Sequence, residues 1–306
     1  FGMLIPAAYT PGYSADNAIL YTNRFRIRLD TQVAPNLSLT ARLSMYKVFG
    51  DSAGVQVFNG QPTSLNIDGT TAGVPNGDML RVERAYFTWN NINDSKFFLS
   101  IGRRPSTGGP PLNYSEDEAR GGTPSGALIN YQFDGITFGY RMSDQTILRA
   151  CYGVGYESGF GSGDILKRPE DRLDDVHFLG ANVDFWTTDK TLIQGTFARA
   201  FNVTDGFNGL TVLPNNPLTG EPVGAPVVMR FTPSTNLGDI NLAGANVEHR
   251  FGSFDTMFSL NYVGFYPEPV TTPFGGMVSD PFEVPETHHG WMLLTGLRYN
   301  FGNDER

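Results

Sequence analysis

This 306-residue chain lacks the features of a disulfide-bonded or helical membrane protein. It has one cysteine, Cys151, and therefore cannot form a disulfide within the chain. Its longest apolar patches, such as Trp291–Leu294, end after a few residues, well short of the roughly 18 residues that a membrane helix needs. No stretch resembles a long helical heptad. These absences exclude a disulfide scaffold and a helical membrane protein.

Charged residues and histidines are also scarce. Only 17% of the residues are charged and the net charge is −9, whereas a nucleic-acid-binding protein is expected to carry a basic surface. The four histidines are His177, His249, His288 and His289, and neither a GxSxG nor an HExxH motif occurs. Adjacent residues of a strand point in opposite directions, so His288 and His289 do not favour a metal site. We therefore expect no enzymatic activity, no cofactor and no metal.

Glycine, proline and aromatic residues are abundant, as in a protein rich in turns and strands. The chain has 36 Gly, 20 Pro and 13% aromatic residues. Between Arg24 and Leu29, three apolar side chains alternate with three arginines. After the turn at 34–36, the alternation continues from Leu37 to Met45. These two segments predict a hairpin with one apolar and one polar face.

The same alternation predicts eleven strands from residue 20 onward. They lie near 20–31, 37–46, 80–90, 96–104, 127–141, 147–156, 176–187, 191–201, 239–250, 256–266 and 290–301. Their connections are alternately short and long, which is typical of a transmembrane β-barrel with periplasmic turns and extracellular loops. We expect one all-β domain over residues 1–306, a closed antiparallel up-and-down transmembrane β-barrel.

The direction of the first predicted strand suggests that one strand is missing from this set. The segment at 20–31 leads into a short turn and so runs toward the periplasm, whereas an even-stranded barrel with both ends there begins with an outward strand. Phe1–Ile5, or residues before Phe1, would supply it, and Pro6–Ala18 would form the first outer loop. The predicted strand number is therefore about 12.

Three short motifs resemble those of bacterial outer-membrane barrels. Thr295–Phe301, TGLRYNF, resembles their C-terminal assembly signal. Phe98–Pro105 is similar to the L-x-L-G-R strand ends of porins, and Phe133–Tyr140, FDGITFGY, to porin strands. The resemblance implies a location in the outer membrane among its lipids, a possible homo-oligomer, and recognition of Gly296, Tyr299 and Phe301 by the barrel-assembly machinery.

The polar faces of the strands predict a wet lumen, because an unpaired guanidinium is costly to bury. The predicted pore-lining residues are Arg24, Arg26, Arg28, Arg42, Arg104, Arg149, Asp184, Glu248 and Arg298. A stripe of arginines along the first strands would attract anions. Alternatively, the arginines pair with inward carboxylates and stiffen the barrel.

Two local expectations concern the strand at 127–141 and the loop before it. The alternation predicts that the side chains of Ile129 and Phe133 face outward. At Gly135 the apolar residues shift by one position along the strand, which predicts a β-bulge there or, alternatively, a hairpin. The charged residues of 116–120 would form a constriction if that loop folds inward, or a solvated loop if it does not. Cys151 is expected to be a small inward-facing filler.

The function that these patterns favour is passive diffusion of small polar or anionic solutes through an outer-membrane channel. The main alternative is a structural or adhesive barrel with a plugged lumen, which binds a partner through its outer loops. An outer-membrane hydrolase and a soluble carbohydrate-binding β-sandwich are further alternatives. The channel hypothesis requires Phe25, Tyr152 and Phe258 to face outward, with Arg26 and Arg149 inside.

Overall fold

The described part of the chain is mostly β-strand, with very little helix. The computed structural model describes residues 21–49, 77–106, 108–115, 121–157, 173–204, 209–215, 222–231, 236–268 and 286–301. The predicted first strand at Phe1–Ile5 and loop at Pro6–Ala18 lie outside these residues. Within the described ranges, no helix has the length and apolar character needed to cross a bilayer.

Thirteen strands and two very short helices make up the described regular structure. The strands are β1 Thr22–Ala34, β2 Leu37–Val48, β3 Gly77–Trp89, β4 Phe97–Ser106, β5 Tyr131–Arg141, β6 Ile147–Tyr156, β7 Val176–Thr187, β8 Thr191–Thr204, β9 Gly209–Asn215, β10 Pro222–Phe231, β11 Asn236–Phe251, β12 Phe254–Pro267 and β13 His288–Tyr299. A 3₁₀ turn spans Ile92–Asp94, and helix α1 spans Leu112–Ser115.

Eleven of these strands form one antiparallel up-and-down sheet in the order β1-β2-β3-β4-β5-β6-β7-β8-β11-β12-β13. The eleven predicted strands are therefore confirmed. Strands β9 and β10 pair only with each other, in the connection from β8 to β11, which the sequence analysis treated as a loop. Among the described strands, β1 and β13 each have one neighbour, so the sheet is not closed.

The short connections lie at one end of the sheet, as predicted. Asn91 and Asn93 adopt left-handed φ values of 50° and 51° in the turn between β3 and β4. Gly252, with φ 58°, lies in the tight turn between β11 and β12. Asparagine and glycine are the residues that tolerate this conformation. We call the end of the strands at which these short connections lie the short-turn end, and the opposite end of the strands the long-loop end.

The exposure of the two faces of the sheet is the opposite of that in a soluble protein, because the apolar side chains are exposed and the charged ones are buried. Phe25, Tyr152 and Phe258 are 48%, 44% and 48% exposed. In contrast, the side chains of Arg26 and Arg149 are only 19% and 12% exposed. These five residues are therefore placed as the channel hypothesis requires, with the three apolar side chains exposed and the two arginines largely buried.

Aromatic side chains cluster near both ends of the outward face. Phe97 stacks on Phe138 near the short-turn end, with ring centroids 5.1 Å apart. At the other end, Tyr262 packs against Trp291, with centroids 4.9 Å apart. Aromatic girdles flank the apolar band of membrane barrels, because the rings suit the boundary between lipid and water.

The predicted bulge at Gly135 is wrong, because β5 pairs with β4 and β6 without a break in register. The misleading residue is Phe133, which points inward and is 4% exposed. Its ring lies against Gly153, where a Cβ atom would be only 2.3 Å from Phe133 Cδ2. The strand also begins at Tyr131, so residues 127–130 do not belong to it.

A bulge does occur in β3. Arg42 is opposite Arg84, while the next residue of β2, Leu43, is opposite Val82. Glu83 is the extra residue, and as a result both Glu83 and Arg84 face the interior, with 4% and 7% exposure. Because a bulge places two consecutive side chains on the same face, it concentrates charge at this point.

Candidate functional site: the polar interior

The inward side chains of the sheet form a charged surface, which we call the inner wall. On β1 to β3 its centre is Glu83, which pairs with Arg42 on β2 and lies 3.4 Å from Arg26 Nε on β1. The side chains of Arg42 and Glu83 are 4% and 5% exposed. Opposite charge and hydrogen bonding compensate for the desolvation of these groups.

A second polar network links β6, β7 and β8. Arg149 donates hydrogen bonds to Asp184 at 2.8 Å and to Asn182 at 2.9 Å. Gln194 donates to the other oxygen of Asp184 at 2.9 Å, and Asn182 donates to Thr196 at 2.8 Å. Because the side chains alternate along each strand, they converge on one face from three neighbouring strands.

A third network lies at the short-turn end. Asp255 accepts hydrogen bonds from Arg250 at 2.6 Å, from Arg298 at 3.0 Å and from Asn300 at 3.0 Å. The side chain of Asp255 is 7% exposed, whereas those of Arg250 and Arg298 are 34% and 38% exposed. The two arginines therefore keep contact with solvent while they fix the carboxylate.

Part of the connection between β4 and β5 lies inside the curved sheet. We call residues 108–115 and 121–130 the inserted segment. Ser259 on β12 donates to the hydroxyl of Ser125 at 3.1 Å, and both residues are buried. Gly122 lies against Arg149, where a Cβ atom would be 2.5 Å from the guanidinium carbon. The segment thus contacts strands that are far apart in the sheet.

An apolar patch on the inner wall holds the inserted segment in place. Leu128 and Ile129, 9% and 2% exposed, pack against the inward side chains Val176, Phe178, Ala198, Ala200, Val203 and Leu242. Burying the two aliphatic side chains here stabilises the segment by roughly 3 to 6 kcal/mol at most. Ile129 therefore faces an interior contact, and its predicted outward position on a strand is wrong.

The predicted pore-lining residues fall into three groups. Arg26, Arg42, Arg149, Asp184, Glu248 and Arg298 lie on the inner wall. Arg104 is partly buried, and its guanidinium is 5.7 Å from the ring centroid of Tyr86. Arg24 and Arg28 are exposed on β1; Arg24 lies over Tyr46, and Arg28 pairs with Asp30 at 2.5 Å.

The residues that connect the inserted segment to the inner wall were not predicted from the sequence. Tyr114 donates to Glu248 at 3.0 Å, and Ser125 and Leu128 make the contacts described above. One signal was present in β7, where the apolar Val176 and Phe178 lie on the same face as the polar Asn182 and Asp184. Apolar side chains in a polar phase indicate an interior contact. The charged residues of 116–120 lie outside the described residues.

Cys151 and three of the histidines, His177, His249 and His289, contact neighbouring hydroxyl groups. The Thr137 hydroxyl lies 3.0 Å from Cys151 Sγ, in the inward phase of β6, as expected for a small filler. The Tyr262 hydroxyl is 2.7 Å from His289 Nδ1 on the outward face. In the part of the chain that the structure describes, no group of three or more His, Cys, Asp or Glu residues could hold a metal ion.

The C-terminal motif lies on β13 and just after it. Tyr299 and Phe301 are exposed, and their rings meet edge to face with centroids 4.6 Å apart. Gly296 faces inward, opposite Met257 of β12. The outward aromatic residues of this motif therefore continue the girdle at the short-turn end.

Comparison with known proteins finds one family model and several solved structures with low sequence identity. The family model described as "Protein of unknown function (DUF3373)" matches residues 14–304. No curated protein matches the chain.

Among solved structures, Salmonella typhi OmpF in a complex with daunomycin is 10% identical, with a TM-score of 0.42, over 95% of this chain and 82% of that one. OmpT, an outer membrane protein of Vibrio cholerae in its trimer form, is 10% identical, with a TM-score of 0.41, over 92% and 77%. A mutant of the Rh. blastica porin is 13% identical, with a TM-score of 0.32, over 81% and 80%. These matches identify no solute.

Proposed function

We propose that this chain, which belongs to the DUF3373 family, is an outer-membrane β-barrel channel for passive diffusion of small polar or anionic solutes. The observation that carries the proposal is the reversal of the two faces of the sheet. Phe258 is 48% exposed, whereas the neighbouring Ser259 is fully buried. Lipid on the outside accounts for the exposed Phe258, because a bilayer accepts apolar side chains. A polar, enclosed interior accounts for Ser259, which donates a hydrogen bond to Ser125 of the inserted segment.

The proposed barrel is closed by one additional strand. Strands β1 and β13 both run from the long-loop end to the short-turn end, so they are parallel to each other. An antiparallel closure needs one strand of opposite direction between them, and the strand predicted for this place, Phe1–Ile5 or a segment before it, lies outside the described residues. Closure satisfies the edge hydrogen bonds of both strands, as a bilayer requires. The total is then twelve strands.

Contacts of the inserted segment support a sheet that curves round on itself. Gly108 lies near Arg84 of β3, with 3.8 Å between its Cβ position and Nη2. The same segment places Tyr114 against Arg298 of β13, with 4.4 Å between the guanidinium carbon and the ring centroid. A segment this short can contact both β3 and β13, which lie near opposite ends of the strand order, only if the sheet bends around it.

The charge of the inner wall favours anions. Arginines outnumber carboxylates on β1 to β4, and Arg26, Arg42 and Arg84 face the interior around a single buried carboxylate, Glu83. A wall with a positive potential raises the local concentration of anions and lowers their barrier to entry. The ion pairs moderate this potential, and we expect weak selectivity.

The second candidate function is a structural or adhesive barrel with a plugged lumen. The observation that favours it is the inserted segment, which occupies part of the interior and is fixed by both apolar and polar contacts. In this case the long loops would bind a partner outside the cell and no solute would pass.

Planar-bilayer recording distinguishes the two functions. The channel predicts stepwise conductance of the purified, folded protein at neutral pH and a reversal potential on the anion-selective side in a salt gradient. Arg26→Gln should reduce this anion preference. The matched control is Arg103→Gln, which removes the same charge from an arginine that pairs with the exposed Asp134. A folded protein without conductance would contradict the channel and support the plugged barrel.

A further inference from the structure

A row of buried side chains that carry oxygen crosses β7, β8, β11 and β12, which are neighbours in the sheet. Gln194 on β8 is opposite both Asp184 on β7 and Asn246 on β11, and Asn246 is in turn opposite Ser259 on β12. The four residues are between 0% and 4% exposed. Because residues that are opposite each other in a sheet share a face, these side chains lie side by side on the inner wall.

Two oxygens of this row have no hydrogen-bond donor among the described residues. They are Oε1 of Gln194 and Oδ1 of Asn246, and both atoms are buried. Each of the two residues is only 2% exposed. Buried polar atoms almost always have a partner in proteins, so two such oxygens on directly opposite residues indicate a bound ligand.

The nitrogen atoms fix the orientation of both amide groups. Gln194 donates from Nε2 to Asp184 Oδ1 at 2.9 Å, and Asn246 donates from Nδ2 to Glu248 Oε1 at 3.3 Å. Rotating either amide by half a turn would place its oxygen against a carboxylate oxygen, where two acceptors repel each other. The nitrogen of Gln194 is directed to β7, and its oxygen is therefore directed to the β11 side, where Asn246 lies.

These oxygens suit a cation, because they accept hydrogen bonds and cannot donate them. An amide whose nitrogen donates to a carboxylate has a more negative oxygen, since linked hydrogen bonds polarise one another. Arg149 binds Oδ2 of Asp184, so Oδ1 remains directed to Gln194. Carboxylate oxygens and the carbonyl oxygens of Asn and Gln are ligands that Ca²⁺ takes, whereas Mg²⁺ keeps several waters and Zn²⁺ is bound mostly by nitrogen and sulfur.

The inserted segment covers this row. Ser259 donates to the Ser125 hydroxyl at 3.1 Å. Leu128 lies against Gly244, two residues from Asn246, where a Cβ atom would be 2.8 Å from Leu128 Cδ2. The row is therefore shielded from bulk solvent, and this shielding strengthens the attraction between an ion and its ligands.

We propose that Gln194 Oε1 and Asn246 Oδ1 bind a calcium ion between β8 and β11, with Asp184 and Glu248 as the nearest carboxylates. The ion stabilises this part of the inner wall beneath the inserted segment. The site does not depend on the proposed channel function, because its ligands are the same in an open channel and in a plugged barrel. It differs from the sequence-based expectation of no metal, because two amides on separate strands form no sequence motif.

Calcium titration of the purified, folded protein in nonionic detergent micelles tests the site. Wild type, Gln194→Met and Asn246→Leu are compared by isothermal titration calorimetry, and by thermal unfolding in Ca²⁺ or in Na⁺ at equal ionic strength. Wild type should bind Ca²⁺ with a Kd of about 10⁻⁴ to 10⁻³ M and unfold several degrees higher in Ca²⁺ than in Na⁺. Each variant removes the oxygen but keeps the size of the side chain, and should weaken binding roughly ten-fold or more.

Asn182→Ala is the matched control. Asn182 is another buried amide of the inner wall, but its oxygen accepts from Arg149 and its nitrogen donates to Thr196. This change should lower the unfolding temperature and leave the rise caused by Ca²⁺ intact. Equal Ca²⁺ affinity of wild type, Gln194→Met and Asn246→Leu would overturn the proposal. Equal stabilisation of wild type by Na⁺ and Ca²⁺ would also overturn it, because it would show an effect of ionic strength alone.

Crystals grown in Ca²⁺ test the position of the ion. Anomalous scattering should show a peak about 2.3 to 2.6 Å from both amide oxygens. Density without an anomalous signal at this place would indicate a water molecule and contradict the calcium site. Planar-bilayer recording tests the channel separately. A folded protein that binds Ca²⁺ as described but does not conduct would reject the channel and keep the calcium site.

Discussion

Arg149 and Asp184 form an ion pair across β6 and β7, with 2.8 Å between Nη2 and Oδ2, and their side chains are 12% and 6% exposed. On the outward face of the same two strands, Tyr152 and Leu179 lie opposite each other and are 44% and 53% exposed. Arginine and aspartate are thus more protected from solvent than tyrosine and leucine. This relationship is the basis of the proposed barrel, because the outward face needs a medium other than water.

The first prediction concerns this ion pair. Arg149→Ala should lower the free energy of unfolding by about 3 kcal/mol, because it leaves the Asp184 carboxylate buried without its cation. The measurement is urea unfolding in lipid vesicles or detergent micelles. The matched control is Arg28→Ala, because Arg28 pairs with Asp30 with both side chains about half exposed. That change should have an effect of about 1 kcal/mol or less. Equal losses for the two variants would contradict a buried role for Arg149.

The second prediction concerns Phe133 and Gly153. Gly153→Ala should destabilise the protein by about 1 to 3 kcal/mol, because the added Cβ atom overlaps the Phe133 ring. In a Phe133→Ala background, the same glycine change should have almost no effect, because the clash is absent. A double-mutant cycle of unfolding free energies measures this coupling. Additive effects would show that the ring does not lie against Gly153.

The third prediction concerns assembly rather than stability. The Phe301 ring is 90% exposed, so Phe301→Ala should change the unfolding free energy of the folded protein little. The yield of folded protein in the outer membrane should nevertheless fall, because Phe301 belongs to the predicted assembly signal. Quantification of folded protein in membrane fractions tests this, with Phe301→Tyr as the control that keeps an aromatic ring. A normal yield for Phe301→Ala would remove Phe301 from the signal.

The strands and their faces could be predicted from the sequence because each apolar-to-polar alternation is local. The pattern around Arg24–Leu29, for example, fixes which side chains share a face. The interior contacts could not be predicted in the same way. Tyr114 and Glu248 are 134 positions apart, and no local pattern links them. The face of Phe133 was predicted wrongly, because the sequence does not distinguish an aromatic ring that faces lipid from one that packs in the interior against Gly153. The bulge at Glu83 was missed because two adjacent charges do not reveal which one is the extra residue.

The most direct test of the central claim is the accessibility of alternate positions on β1 to a membrane-impermeant thiol reagent. Single cysteines replace Phe25, Arg26 and Ile27 in a Cys151→Ser protein that is reconstituted in lipid. With a lipid-facing exterior and an aqueous interior, the reagent should modify Arg26→Cys, while Phe25→Cys and Ile27→Cys should react only with a lipid-soluble maleimide. Rapid modification of Phe25→Cys and Ile27→Cys by the impermeant reagent, with Arg26→Cys protected, would contradict a lipid-facing exterior and an aqueous interior.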